Sequence, residues 1–203
     1  MQDPIHKNNH IYAKSSQAYP NDYRGVKWEN ALSQQIRFKI LTQISPLIYN
    51  SSVLDVGCGL GHLVDYLNAQ NFTGHYKGID LCNQMIILAK KKYPHLEFEN
   101  NTIENIPEKS MDFVLASGIF AFVDYTQLQY IIALLFSRAN KGVAFNCLSL
   151  YTPEQKKEPE LFYPNPSDVF DLCKKLTPYV NLRHDYLVND FTIYLYTSPV
   201  KLI

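Results

Sequence analysis

An excess of charge of either sign is what this sequence lacks first. Its 203 residues carry 19 Lys plus Arg against 19 Asp plus Glu, so no global field draws it to nucleic acid or to an anionic membrane. No apolar run approaches the roughly 18 residues of a membrane span, and residues 1–10 hold no signal-peptide core. The expectation is a cytoplasmic protein without a membrane or nucleic-acid partner, either a monomer or a homodimer. Cys58, Cys82, Cys147 and Cys173 form no C-x-x-C pair, which points to reduced thiols and away from a disulfide framework. His6, His10, His62, His75 and His95 show no metal-ligand spacing, so no metal is expected.

What is present is organised around residues 53–63, Val-Leu-Asp-Val-Gly-Cys-Gly-Leu-Gly-His-Leu. An aliphatic run containing Asp55 passes through three glycines in five positions and opens into a helical pattern. That reads as strand, tight turn and helix. Glycine suits a backbone that takes positive φ or lets a ligand approach without a Cβ in the way. The dinucleotide fingerprint G-x-G-x-x-G is not met, because the residue three after Gly59 is His62 and the third glycine is Gly61. There is no P-loop lysine either, and Asp55 suits a cationic ligand end better than a diphosphate.

Hydrophobic periodicity extends the pattern along the chain. Strands are expected at about 52–56, 75–80, 96–98, 111–116 and 143–148, with Lys141-Gly142 as a turn before the last. Helices are marked by Leu60, Leu63, Val64 and Leu67, by Cys82, Met85, Ile86, Ala89 and Tyr93, and by Leu128, Ile131, Ile132 and Leu135. An earlier helix is read from Trp28, Leu32, Ile36, Ile40 and Ile44, stopped by Ser45-Pro46. After a charged loop, Val169, Leu172, Cys173 and Leu176 mark a last helix. Two alternating runs, 180–186 and 191–196, suggest an antiparallel hairpin. Alternating strands and helices imply a doubly wound, largely parallel α/β sheet, whose ligands sit beyond the carboxyl ends of the strands. Asp55, Asp80, Thr102 and Ser117 all fall at or near such ends. Asp80 is placed to accept from ribose hydroxyls, in a nicotinamide cofactor as well as in any other nucleoside.

Val-Leu-Asp-Val-Gly-Cys-Gly-Leu-Gly at 53–61, Gly-Ile-Asp at 78–80 and Met-Asp-Phe-Val-Leu-Ala-Ser at 111–117 together resemble the class I S-adenosylmethionine-dependent methyltransferases. The resemblance implies a Rossmann-like seven-stranded sheet, mostly parallel with a C-terminal antiparallel hairpin and with helices on both faces. It implies S-adenosylmethionine as cofactor and S-adenosylhomocysteine as product. By the same resemblance the backbone of Gly57, Cys58, Gly59 and Gly61 holds the methionyl part and Asp55 supports its amino group. Asp80 binds ribose, Leu81 packs on adenine, and Ser117-Gly118 borders the methionyl chain. Many family members carry an acid where Thr102 stands, so Thr102 with Ile103 becomes the adenine-side candidate; a threonine hydroxyl can accept the same bond.

The expected organisation is an arm or lid at 1–27 and one methyltransferase domain at 28–203. Within it lie a helix at 28–46, a cofactor-binding core at 51–149, and a substrate-side loop, last helix and hairpin at 150–203. Arg37 is read either as a solvated charge or as the partner of a carboxylate in the site. No general base declares itself; Asp124, Tyr23, His184 and Tyr151 are the candidates by topology. The turn after strand four reads Ser-Gly-Ile-Phe, not the Asn/Asp-Pro-Pro-aromatic turn of enzymes that methylate base amines. Tyr12, Tyr19, Tyr23, Trp28, Phe120, Phe122 and Tyr151 are expected around the mouth, which suits a small organic acceptor. A nicotinamide-dependent oxidoreductase and a catalytically silent cofactor- or partner-binding module are the alternatives.

Overall fold

The structure is a computed structural model, and it describes residues 13–20, 22–26 and 30–200. The expected helix start at Trp28, and Tyr12 at the mouth, lie outside these residues. Seven strands form one sheet: β1 Val53–Val56, β2 Tyr76–Asp80, β3 Glu97–Asn100, β4 Met111–Ala116, β5 Ala139–Leu148, β6 Val180–Leu187 and β7 Asp190–Tyr196. Their spatial order is β3-β2-β1-β4-β5-β7-β6. β1 through β5 pair in parallel, while β7 runs antiparallel to both β5 and β6. The predicted sheet and its terminal hairpin are therefore present. β5 begins at Ala139, so Lys141 and Gly142 lie inside the strand and not in a turn. A register shift between Met111 and Phe113 absorbs the extra length.

Helices cover both faces. α1 Ala31–Thr42, α2 His62–Ala69 and α3 Asn83–Lys92 pack on one side, where Leu41, Leu63, Leu67, Ile86 and Ala89 meet Phe113, Ala144 and Tyr194. On the other side α4 Tyr125–Arg138 and α5 Pro166–Lys174 bury Leu128, Ile132, Leu135, Val169 and Cys173 against Val114, Phe145 and Ile193. Burial on both faces explains why β1 and β4 read as nearly continuous apolar runs.

Of the four-residue stripe read for α1, Ile40 and Ile44 are buried and Ile36 packs on the core, while Leu32 departs from it. Leu32 is 67% exposed, and the buried face carries Gln34, Arg37, Phe38, Ile40 and Leu41. A helix advances 100° per residue, so steps of four drift round the cylinder by 40° each and cannot stay on one face for long. Asn30 caps this helix by accepting the Ser33 N–H at 2.8 Å.

Candidate functional site

Four parallel strand ends lie side by side in the order β3, β2, β1, β4, and the strand order switches direction between β1 and β4. At about 4.8 Å per strand they span about 14 Å. Asn100 to Thr102, Asp80, the glycine turn and Ser117 thus share one edge of the sheet. Gly57, Gly59 and Gly61 all take positive φ, at +73°, +53° and +76°. The Gly57 and Cys58 N–H groups return to the Ile79 carbonyl at 2.8 and 3.0 Å. A Cβ on Gly57 would overlap Ile119 Cγ2, and one on Gly59 would come 2.9 Å from Val26 Cγ1. The turn is glycine because segments from two directions close on it.

Asp80 is the hinge of the arrangement. One carboxylate oxygen accepts the Gly59 N–H at 2.8 Å, and the other accepts the Cys82 N–H at 2.8 Å at the start of α3. Burial pushes its pKa up, and these backbone donors pull it back down. Leu81 is a third backbone donor to this carboxylate, which offers about four acceptor sites and so keeps one for a ligand. Next to it Leu81 is 44% exposed, an apolar surface at the mouth. Thr102 is half-buried, and its N–H donates to Asn101 Oδ1 at 2.9 Å. These features fit a nucleoside: a carboxylate clasped by backbone donors, an open apolar face, and a turn of three positive-φ glycines.

Several candidates turn out differently placed. Asp55 is 4% exposed, beneath the glycine turn, where Tyr76 Oη donates to it at 2.8 Å. Burial, with the Asp80 charge adding to it, raises its pKa to about 7 against the Tyr76 bond. It therefore does not line the surface. Cys58 is buried, and burial pushes its thiol well up, so it offers backbone and not sulfur. Ile103 points into the core beside Ile106 and Leu135, and its carbonyl accepts from Arg138 Nε at 3.1 Å; its side chain adds nothing to the pocket. Arg37 is not a solvated charge. Its Nε donates to Asp190 Oδ2 at 2.6 Å, with the two side chains 5% and 3% exposed. That carboxylate stands at the start of β7, opposite Leu148, and not at β1 or β2.

The candidate bases separate as well. Asp124 forms a capping box with Gln127 at the start of α4, a helix-end role. Tyr23 lies half-buried in a 3-10 turn, Tyr23–Val26, with the Arg24 guanidinium 5.9 Å from its ring centre. His184 and Tyr151 meet, ring centres 5.9 Å apart, and His184 also packs on Phe191. His184 belongs to β6, three strands or about 14 Å from β4, beyond direct proton transfer at the switch point. Among the expected mouth aromatics, Phe120 is in the core, 1% exposed and edge-on to Phe145. Tyr19 and Tyr151 are exposed.

Three participants escaped sequence reading. Val26 and Ala13, from the segment before α1, pack on Leu60, Cys82 and Met85 beside the glycine turn. Asn146, 1% exposed in β5, accepts the Gly118 N–H at 2.9 Å and donates to Ser117 Oγ at 3.3 Å. Its signal was available: an amide side chain inside the apolar strand Val-Ala-Phe-Asn-Cys-Leu needs a buried partner.

Strand order, with the glycine turn and clasped acid at its switch point, defines a doubly wound α/β protein. The methyltransferase domain family matches residues 53–142. A relative in Mycobacterium tuberculosis, named for methyltransferase activity, is 34% identical over 150 residues, covering 70% of this chain and 90% of its own. The phosphoethanolamine N-methyltransferase of Plasmodium falciparum is 36% identical over 100 residues, 45% of this chain and 37% of its own. Among solved structures, the magnesium protoporphyrin IX methyltransferase of Synechocystis with bound SAM superposes with a TM-score of 0.69 at 13% identity, covering 98% of this chain and 99% of the other. The chain belongs to the class I S-adenosylmethionine-dependent methyltransferases. Its cofactor is S-adenosylmethionine, which sets the nicotinamide alternative aside. Among the described residues no helix is long and apolar enough to cross a membrane.

Proposed function

We propose that this methyltransferase acts on a small-molecule acceptor. The observation that carries the reading is the cover over the acceptor side. The Phe162 N–H donates to the Ala121 carbonyl at 2.8 Å and the Leu150 N–H to the Pro164 carbonyl at 3.0 Å. The second bond closes the 150–164 loop on itself and the first ties that loop to the segment after β4, and we read the tied loop as a cover that admits a compact substrate. The balance of 19 basic and 19 acidic residues agrees with this, because nucleic-acid substrates call for a basic face. So do relatives whose names specify phosphoethanolamine and trans-aconitate as acceptors.

In this reading the 57–61 backbone receives the methionyl part, Asp80 the ribose hydroxyls and Leu81 one face of adenine. Thr102 lies on the adenine side, and Ser117-Gly118 borders the methionyl chain. Asp55 acts from below the turn, where its negative charge favours a cationic ligand end. Residues 13–20 and 22–26 serve as part of a lid. S-adenosylmethionine, when bound, supplies a methyl already activated on a sulfonium. The protein then has to align two reactants, which is worth about 7–11 kcal/mol, and none of the four candidate bases is needed for an acceptor that is already nucleophilic.

Calorimetric titration with S-adenosylhomocysteine, repeated on Asp80→Ala, tests the cofactor assignment. Loss of affinity by more than about tenfold is expected from removing a charged acceptor. Transfer of labelled methyl to a panel of small acids, amines and phenols, with protein and RNA as comparators, tests the acceptor. Label appearing only in protein or RNA would refute the small-molecule reading.

A further inference from the structure

The turn Ser117-Gly118 leaves β4 at the switch point, next to the glycine turn of β1. Nothing in its own four-residue sequence, Ser-Gly-Ile-Phe, holds it in place. Gly118 takes φ +75°, a conformation a short exposed turn does not keep unaided. Asn146 supplies the restraint from the neighbouring strand. Ala116 pairs with Phe145, so Asn146 stands level with Ser117. Its carbonyl oxygen takes the Gly118 N–H at 2.9 Å and its amide nitrogen gives a bond to Ser117 Oγ at 3.3 Å. Both ends of one carboxamide are thus spent on two consecutive residues of the turn.

The setting makes this choice costly unless it is used. Asn146 is 1% exposed, on a strand whose other residues from Val143 to Cys147 are Val, Ala, Phe and Cys, all buried. A buried amide without partners costs free energy, whereas an aliphatic side chain of the same size there would cost nothing. Across the sheet its pair is Thr192, also buried, which shares a hydrogen bond with Tyr186 at 2.8 Å, so the cross-strand hydroxyl is already engaged. The carboxamide faces the turn because its bonds are there.

We infer that Asn146 is a positioning residue for the methyl donor: it holds Ser117-Gly118 in the one geometry that borders the methionyl chain. The inference rests on the cofactor placement proposed above. It predicts that Asn146 discriminates between ligands that have a methionyl part and ligands that do not. S-adenosylhomocysteine reaches this turn, while adenosine ends at Asp80, Leu81 and Thr102.

The test measures dissociation constants of both compounds, by calorimetry for the first and ligand-observed NMR for the second, on the wild-type chain, Asn146→Leu and Asn146→Asp. Leucine keeps the volume and removes both bonds; its expected effect is about a tenfold loss for S-adenosylhomocysteine, the weight of one or two buried hydrogen bonds, with adenosine unchanged. Aspartate still accepts from Gly118, and from Ser117 once that hydroxyl turns, so it is expected to stay within about threefold of wild type. Should Asn146→Leu not fold, the smaller Asn146→Ala, which also removes both bonds, replaces it with the same expectation. Equal weakening of both ligands, or of neither, overturns the inference, as does an aspartate variant as weak as the leucine one. Failure of the underlying placement looks different: the wild-type chain would bind S-adenosylhomocysteine no better than adenosine, or Asp80→Ala would leave both unchanged.

Discussion

Replacing Asp55 by asparagine isolates the electrostatic cost of the carboxylate under the glycine turn. Burial raises this acid from its ordinary 3.8 to about 7, so the folded state prefers it protonated while the unfolded chain ionises it near 4. The sign follows: its contribution to stability is full below about pH 4 and is lost as pH rises through about 7. At about 1.4 kcal/mol per pKa unit, integration from pH 5 to pH 8 gives a loss of about 2–3 kcal/mol. With a urea m-value of about 2–3 kcal/mol/M, the midpoint falls by roughly 1 M over that range. The asparagine carboxamide is neutral throughout and can still accept the Tyr76 hydroxyl, so the Asp55→Asn variant lacks this component. Asp190, also raised by burial, titrates in both proteins and cancels in the comparison, while Asp80 is coupled to Asp55, so the difference between the slopes reports the pair. The assay is urea unfolding of both proteins at pH 5, 6, 7 and 8, read as the difference between their pH slopes. Parallel loss of stability in wild type and variant would show that Asp55 ionises normally, and the buried-carboxylate argument would fail.

The same carboxylate makes affinity for the cationic S-adenosylmethionine rise between pH 6 and pH 8 as Asp55 ionises, with a flatter profile in Asp55→Asn; identical profiles by calorimetry would contradict this. At the other end of the sheet, Arg37→Met or Asp190→Leu alone strands a buried charge and should cost about 3–5 kcal/mol. The double variant should lose less than the sum, and strict additivity in denaturant titrations would argue against a coupled pair. Asp124→Ala should cost about 1 kcal/mol through the lost helix cap and leave S-adenosylhomocysteine affinity unchanged; a large drop in that affinity would return Asp124 to the site. Gly59→Ala should abolish cofactor binding while the protein still unfolds cooperatively, because the added Cβ meets Val26 at 2.9 Å and φ is +53°.

Local pattern was enough for what depends on neighbours in sequence. The run 53–61, the acid ending β2 and the alternation of 191–196 each carry their own period, turn chemistry or spacing, so strands, helices and the sheet edge that gathers Asp80, the glycine turn and Ser117 were legible from the chain alone. Only tertiary structure decided what depends on which far residue fills the space beside a group. Asp55 reads as a pocket acid, yet Tyr76 and the turn above it enclose it and shift its protonation. Arg37 meets Asp190 across 153 residues, and Asn146 reaches Gly118 across 28. Such pairs leave no periodic trace, because hydrophobic patterning says that a position is buried and not which polar partner satisfies it there.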